Sequence, residues 1–99
     1  MFWSVSLAWT IEFSATSEKQ LRKLDKAVAK QILGAVKKAV RTPGGPRATG
    51  KALKGSLGGY WRYRSGNYRI ICTIEDAKLQ VLVIRLGDRR DVYEEMGRG

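Results

Sequence analysis

The stretch that most restricts the fold is Tyr60 to Ile74, YWRYRSGNYRIICTI. Its first half alternates. In an extended chain Tyr60, Arg62 and Arg64 fall on one face, and Trp61 and Tyr63 on the other. Ser65-Gly66-Asn67 is turn chemistry, because Gly66 and Asn67 tolerate positive φ. The chain then returns through Tyr68-Arg69-Ile70-Ile71-Cys72-Thr73-Ile74, rich in β-formers. The pattern specifies a β-hairpin. From Lys51 through Ile74 the charged residues are Lys51, Lys54, Arg62, Arg64 and Arg69, with no acid among them. A sheet with that much uncompensated positive charge is suited to an anionic partner.

A second hairpin follows. Glu75-Asp76-Ala77-Lys78 reads as its turn, and Leu79 to Leu86 (LQVLVIRL) is nearly apolar throughout, as in a strand covered on both faces. Gly87-Asp88 is expected to break that strand. Arg89 to Met96 is expected to form a short final helix, with Gly97-Arg98-Gly99 fraying.

Ahead of the hairpins, Leu7 to Phe13 reads as a strand and residues 1–6 as an N-terminal extension. The apolar start has no basic residue before it, and Glu12 follows at once, unlike a signal peptide. It is also far short of the ~20 residues of a membrane helix. A cytoplasmic, membrane-free protein is expected. Ser14-Ala15-Thr16-Ser17 offers helix caps, and Ser17 with Gln20 has capping-box spacing for a short helix to about Leu24, with Leu21 and Leu24 inward. Asp25 is placed to cap a second helix to about Arg41. There Val28, Ile32, Val36 and Val40 form an apolar stripe, while Lys26, Lys30, Lys37 and Arg41 gather on another face, read as solvated. The two adjoin with almost no linker, as in an αα-hairpin.

Thr42 to Gly59 reads as a glycine- and proline-rich loop, anchored by Leu53 and Leu57. Its Gly45-to-Lys51 segment is one residue short of a P-loop, because Ala52 stands where the magnesium-holding hydroxyl belongs. No strand precedes it and Pro46 interrupts it, so nucleotide binding of that kind is rejected.

The 99 residues suit a single domain, and the net charge of +10 (19 Lys and Arg against 9 Asp and Glu) favours nucleic acid, anionic membrane or an acidic protein partner. Cys72 is the sole cysteine, in an apolar strand, where a buried inert thiol is expected. Histidine is absent, which excludes Ser-His and Cys-His nucleophile pairs and His-ligated metals. The acids are spread over the first strand, the helices, a turn and the end of the chain, so no cofactor or metal is expected. Metal-free RNA cleavage fits what remains. There the 2′-hydroxyl attacks the adjacent phosphorus, which calls for a base, an acid and positive charge on the phosphoryl oxygens. Arginine suits the last task through its planar, permanently charged fork, and a tyrosine or lysine among cations can take a proton role.

In sequence, the helix pair LRKLDKAVAKQI, the Leu53-Lys54-Gly55 loop, Tyr60-Trp-Arg-Tyr-Arg, Gly66-Asn-Tyr-Arg69-Ile-Ile and Gly87-Asp-Arg89-Arg-Asp-Val-Tyr93 form an ordered set. Together they resemble the RelE/ParE superfamily of bacterial toxin–antitoxin toxins, and within it the RelE branch, over about Trp9 to Tyr93. The resemblance implies an α+β fold: a small antiparallel-dominated sheet with an N-terminal αα-hairpin, in the order β-α-α-β-β-β-(α). It implies an endoribonuclease that cleaves messenger RNA in the ribosomal A site without metal. The partners implied are the ribosome with its message and a cognate antitoxin, expected to be acidic. Carried over, Arg69 is the strand arginine that binds the scissile phosphate, Arg89 the arginine that stabilises the transition state, and Tyr93 the tyrosine that stacks on the nucleotide or helps activate the 2′-hydroxyl. Arg62 and Tyr60 stand where some members have lysines. Arg62 keeps charge but cannot be a base at neutral pH, and Lys54 is a candidate to compensate. Lys51, Lys54, Tyr60 and Arg64 are the candidate RNA-binding residues; Arg62, Arg69, Arg89 and Tyr93 are the candidate catalytic ones. Two alternatives stay open: a ParE-like inhibitor of DNA gyrase, and a non-catalytic RNA- or ribosome-binding module.

Overall fold

A computed structural model describes residues 2–4 and 9–88. The elements are β1 (Phe2–Ser4), β2 (Thr10–Phe13), α1 (Ala15–Lys23), α2 (Lys26–Arg41), β3 (Lys51–Ala52), β4 (Trp61–Ser65), β5 (Tyr68–Glu75) and β6 (Gln80–Asp88). The strands form one sheet in the order β1-β2-β6-β5-β4-β3. All neighbours are antiparallel except β2 and β6, which run parallel. The fold is thus the expected α+β arrangement, with two strands more than the sequence suggested: part of the N-terminal extension pairs with β2, and part of the glycine-rich loop pairs with β4.

The β4–β5 hairpin has the register that its alternation demands, with Tyr63 opposite Ile70 and Arg64 opposite Arg69. Gly66-Asn67 is the two-residue turn, and only Gly66 takes positive φ, at 60°. The core lies between the helices and one sheet face. Ile11, Phe13, Val81, Val83, Leu86, Cys72, Ile70 and Tyr63 meet Leu21 of α1 and Ile32, Val36, Ala39 and Val40 of α2. Val28 and Leu24 pack at its margin. Lys26, Lys30 and Arg41 are exposed on the other side of the hairpin. Cys72 is buried, and burial pushes its thiol above its ordinary range.

Two helix starts differ from expectation. Ser14, not Ser17, caps α1 and accepts the Ser17 N–H at 3.1 Å. The same serine hydroxyls also reach the sheet. β2 ends at Phe13, where β6 has five residues still to run. Ser14 Oγ donates to the Ile84 carbonyl and Ser17 Oγ to the Val83 carbonyl, each at 2.7 Å, and Gln20 Oε1 accepts the Leu86 N–H at 2.7 Å. The first turns of α1 thereby satisfy backbone groups that a longer β2 would have paired. Asp25 is the N-cap residue of α2 but makes no capping side-chain bond.

β6 also departs from its reading as an apolar strand covered on both faces. Cys72 pairs with Val83 and Ile71 with Arg85, which leaves Ile84 as a bulge. The bulge shifts the alternation by one residue. Val81, Val83 and Leu86 face the core, while Leu82, Arg85 and Gly87 face away. The strand does not break at Gly87-Asp88 but continues through both, opposite Arg69 and Tyr68. The expected final helix from Arg89 lies outside the described residues.

Candidate functional site

The loop after α2 is the first determinant of the site, because it fixes β3. Gly50, at φ +78°, lies against β4 so closely that an added Cβ would meet the Arg62 carbonyl oxygen at 2.5 Å and Tyr63 Cδ1 at 2.9 Å. Trp61 Nε1 donates to the Thr49 carbonyl at 2.8 Å, and the buried Tyr63 hydroxyl donates to the Pro46 carbonyl. Burial raises the Tyr63 phenol well above its usual range, which keeps it a neutral donor. An exposed Arg47–Asp76 ion pair at 2.8 Å ties the loop to the β5–β6 turn and lowers the Asp76 carboxyl below its usual value. Pairs this exposed contribute little, so the aromatic hydrogen bonds carry most of the attachment.

With the loop held, Lys51 stands opposite Arg62, Arg62 opposite Ile71, and Ile71 opposite Arg85. Residues opposite one another share a face, so Lys51, Arg62, Ile71 and Arg85 make one row across four strands, on the face away from the helices. The next row, two residues along, holds Arg64, Arg69 and Gly87. The two rows contain no acidic side chain. Glu12, Gln80 and Glu75 lie toward the opposite end of the face, where Gln80 Nε2 donates to Glu12.

Within the rows, Arg69 is 8% exposed and Ile71 is fully buried. Ile71's neighbours in register are Arg62 and Arg85, whose long stems are themselves apolar surface. The Nε atoms of Arg62 and Arg69 are shielded from solvent. Arginines held by strand backbone and partly desolvated act on a phosphate more strongly than surface lysines, because the local dielectric is lower and the planar fork bonds two oxygens.

The sheet thus brings together Lys51, Arg62, Arg64 and Arg69. Lys54 is exposed at the start of the 3-10 turn Gly55–Leu57, outside the rows. Tyr60 precedes β4 and is half-buried, bordering a small cavity with Arg47, Ala52, Trp61 and Ile74. Arg89 and Tyr93 lie outside the described residues. Arg85 is the member of the face that sequence reading passed over. Its signal was there, one charge in LQVLVIRL, but its face depends on the bulge at Ile84. Among the described residues, no three His, Cys, Asp or Glu side chains gather where they could hold one metal ion.

The model of the ParE toxin family, the toxin of type II parDE toxin–antitoxin systems, matches residues 11–93. The chain belongs to this family. Among curated relatives it is 33% identical to the mRNA interferase toxin RelE of Escherichia coli, over 90% of this chain and 94% of that one. It is 29% identical to toxin RelG of Mycobacterium tuberculosis, over 88% and 98%. Among solved structures, it matches the toxin–antitoxin complex RelBE2 of M. tuberculosis with a TM-score of 0.73 and 26% identity, over 85% of this chain and 94% of that chain. An E. coli RelE mutant in the free state matches with a TM-score of 0.72 and 26% identity, over 93% and 97%. The chain is therefore a RelE-like member of the ParE toxin family, and its fold is that of RelE. No helix among its described residues is long and apolar enough to cross a membrane.

Proposed function

We propose that the chain is a single toxin domain that cleaves messenger RNA in the ribosomal A site without metal, acts in the cytoplasm and is silenced by an acidic cognate antitoxin. The observation that carries this reading is the two-row cationic face, with Arg69 at its centre and no acid in its rows among the described residues. The kinship with proteins named mRNA interferases, and the fold shared with a toxin solved in complex with its antitoxin, support it.

In this reading Arg69, fixed by the ladder on both sides, grips the scissile phosphate before reaction. Arg62 and Arg85 flank it and supply charge as the 2′-oxygen attacks and charge builds on the phosphoryl oxygens. Arg89, next in sequence after β6, meets the charge that develops only in the transition state, and Tyr93 stacks on the nucleotide or assists the 2′-hydroxyl. No strong neutral-pH base stands within the rows, so the ribosome supplies orientation, which can be a large part of a barrier.

Interactions made only in the transition state alter the chemical step, while those made earlier alter binding as well. Arg89→Ala is therefore expected to slow single-turnover cleavage on saturated ribosomes by about 10²–10³-fold with ribosome affinity kept. Arg69→Ala weakens both. Cleavage by Arg89→Ala within a few-fold of wild type would remove Arg89 from the chemical step. The ParE name of the matching family model favours a second reading, inhibition of DNA gyrase. Primer extension on translated messages after induction separates the two: discrete cuts within codons support the nuclease, and intact messages with stalled supercoiling support the gyrase inhibitor.

A further inference from the structure

Between the C-terminal half of α2 and the outer strands lies a cavity of about 440 Å³. Ala35, Lys38 and Ala39 of α2 line it with Tyr63 of β4, and Lys51, Arg62 and Arg64, whose side chains stand on the opposite face of the sheet, border it along the β3–β4 edge. Among the described residues, no acidic side chain lines it. Two features keep it open. Alanine at positions 35 and 39 leaves a gap that a longer side chain would fill. β3 pairs with β4 only as far as Arg62, so it stops short of the part of the β4 edge that borders the cavity.

We propose that this cavity is a second nucleotide subsite, in which a phosphate–ribose unit of the RNA seats after the strand leaves the sheet face and turns over the β4 edge. The proposal rests on the RNA-cleaving reading above. Lys51, Arg62 and Arg64 border the cavity with their side chains on the cationic face, and Lys38 stands on the α2 side, so cations flank the β4 edge on both sides. A polyanion can meet both at once; a single small anion cannot. A concave low-dielectric wall focuses the field of the flanking cations on an anion seated there. The volume lies within the range of small-ligand sites, and the apolar floor suits a ribose or a base edge. An acidic protein segment would match the charge too, but cations on both sides of the edge favour a ligand that runs from one to the other.

The decisive residue is Lys38, which lines the cavity but has no place in the two rows. Binding is read by fluorescence anisotropy across a salt series, with non-cleavable 2′-O-methyl RNAs: a trinucleotide, and a decamer long enough to cross the edge. Each single-strand phosphate contact contributes about 0.7 to the slope of log K against log salt. Lys38→Gln is expected to lower the decamer slope by about that amount, and to leave the trinucleotide unchanged. Lys38→Arg keeps the slope. Ala35→Met, which narrows the cavity without changing charge, is expected to weaken the decamer and not the trinucleotide. Lys38 is exposed, so the variant's fold is checked by an unchanged melting curve. A wild-type slope in Lys38→Gln, with RNA still bound, overturns the subsite and leaves the RNA reading intact. Failure of wild type to bind either RNA overturns both. If Lys38→Gln leaves the RNA slope alone but weakens the purified cognate antitoxin, the cavity belongs to the protein partner and the proposal falls.

Discussion

Replacing Gly50 by alanine tests how the glycine-rich loop is held, and the size of the effect follows from the contacts. The backbone there has φ +78°, and an L-residue in that region costs roughly 1–2 kcal/mol. The new Cβ would also stand 2.5 Å from the Arg62 carbonyl oxygen, 2.6 Å from Trp61 Nε1 and 2.9 Å from Tyr63 Cδ1. Arg62 is paired within the sheet and Tyr63 is 4% exposed, so neither can withdraw. The loop must lift instead. Lifting breaks the Trp61–Thr49 bond, worth ~0.5–1.5 kcal/mol, and strands the buried Tyr63 hydroxyl, at ~1–3 kcal/mol. Gly50→Ala should therefore destabilise by about 3–6 kcal/mol, a large part of what a domain of this size possesses. Gly45 supplies the control. It has φ +85° but no atom of the described residues within 4 Å of an added Cβ, so Gly45→Ala should cost only about 1–2 kcal/mol. Urea denaturation followed by tryptophan fluorescence gives both values. If the two variants differ by less than about 1 kcal/mol, close packing at Gly50 is not what fixes the loop.

Three further outcomes are expected. Arg85→Ala should reduce the salt slope of RNA binding by about 0.7 while Arg85→Lys preserves it, and an unchanged slope for the alanine variant would remove Arg85 from the binding face. Gly34 lies in α2, exposed, with nothing within 4 Å of a Cβ, so Gly34→Ala should raise stability by about 0.5–1 kcal/mol in the same urea assay. Burial raises the Cys72 and Tyr63 values in the folded chain, so the unfolded chain loses those protons first. Their contribution is complete below the unfolded values and declines as pH rises, from about 8.5 for Cys72 and about 10 for Tyr63, by about 1.4 kcal/mol per pH unit for each group. Stability that stays flat from pH 8 to 11 in urea titrations would contradict this.

What was legible in the sequence was local. The alternation from Tyr60 to Arg64 and the Gly66-Asn67 turn fix the β4–β5 register within a few residues, and that register sets Arg62, Arg64 and Arg69 together. The four-residue spacing of Val28, Ile32, Val36 and Val40 fixes α2 in the same way. The misses were non-local. β1 and β3 are too short to carry a periodic signal and exist because a neighbouring strand offers an edge. The bulge at Ile84 depends on how β5 and β6 meet, so LQVLVIRL looked uniformly apolar and Arg85 stayed hidden. Of the caps offered between Ser14 and Ser17, the capping-box spacing singled out Ser17, whose hydroxyl instead reaches β6, 66 residues away, a contact no local pattern shows.

The parallel pairing of β2 with β6 also sets a timetable. The rest of the sheet is built from strands that follow one another closely, but β2 needs partners roughly seventy positions further on. At about 5–20 residues per second of synthesis, that strand waits roughly 4–14 seconds on the ribosome before its neighbour exists. Until then the serines and the glutamine of α1 have no carbonyls or amide to meet. The cationic face and the seat of α1 therefore mature together, when the last strand arrives. A nascent chain stalled before β6 would hold its helices and the central hairpin without the assembled sheet that gathers its arginines.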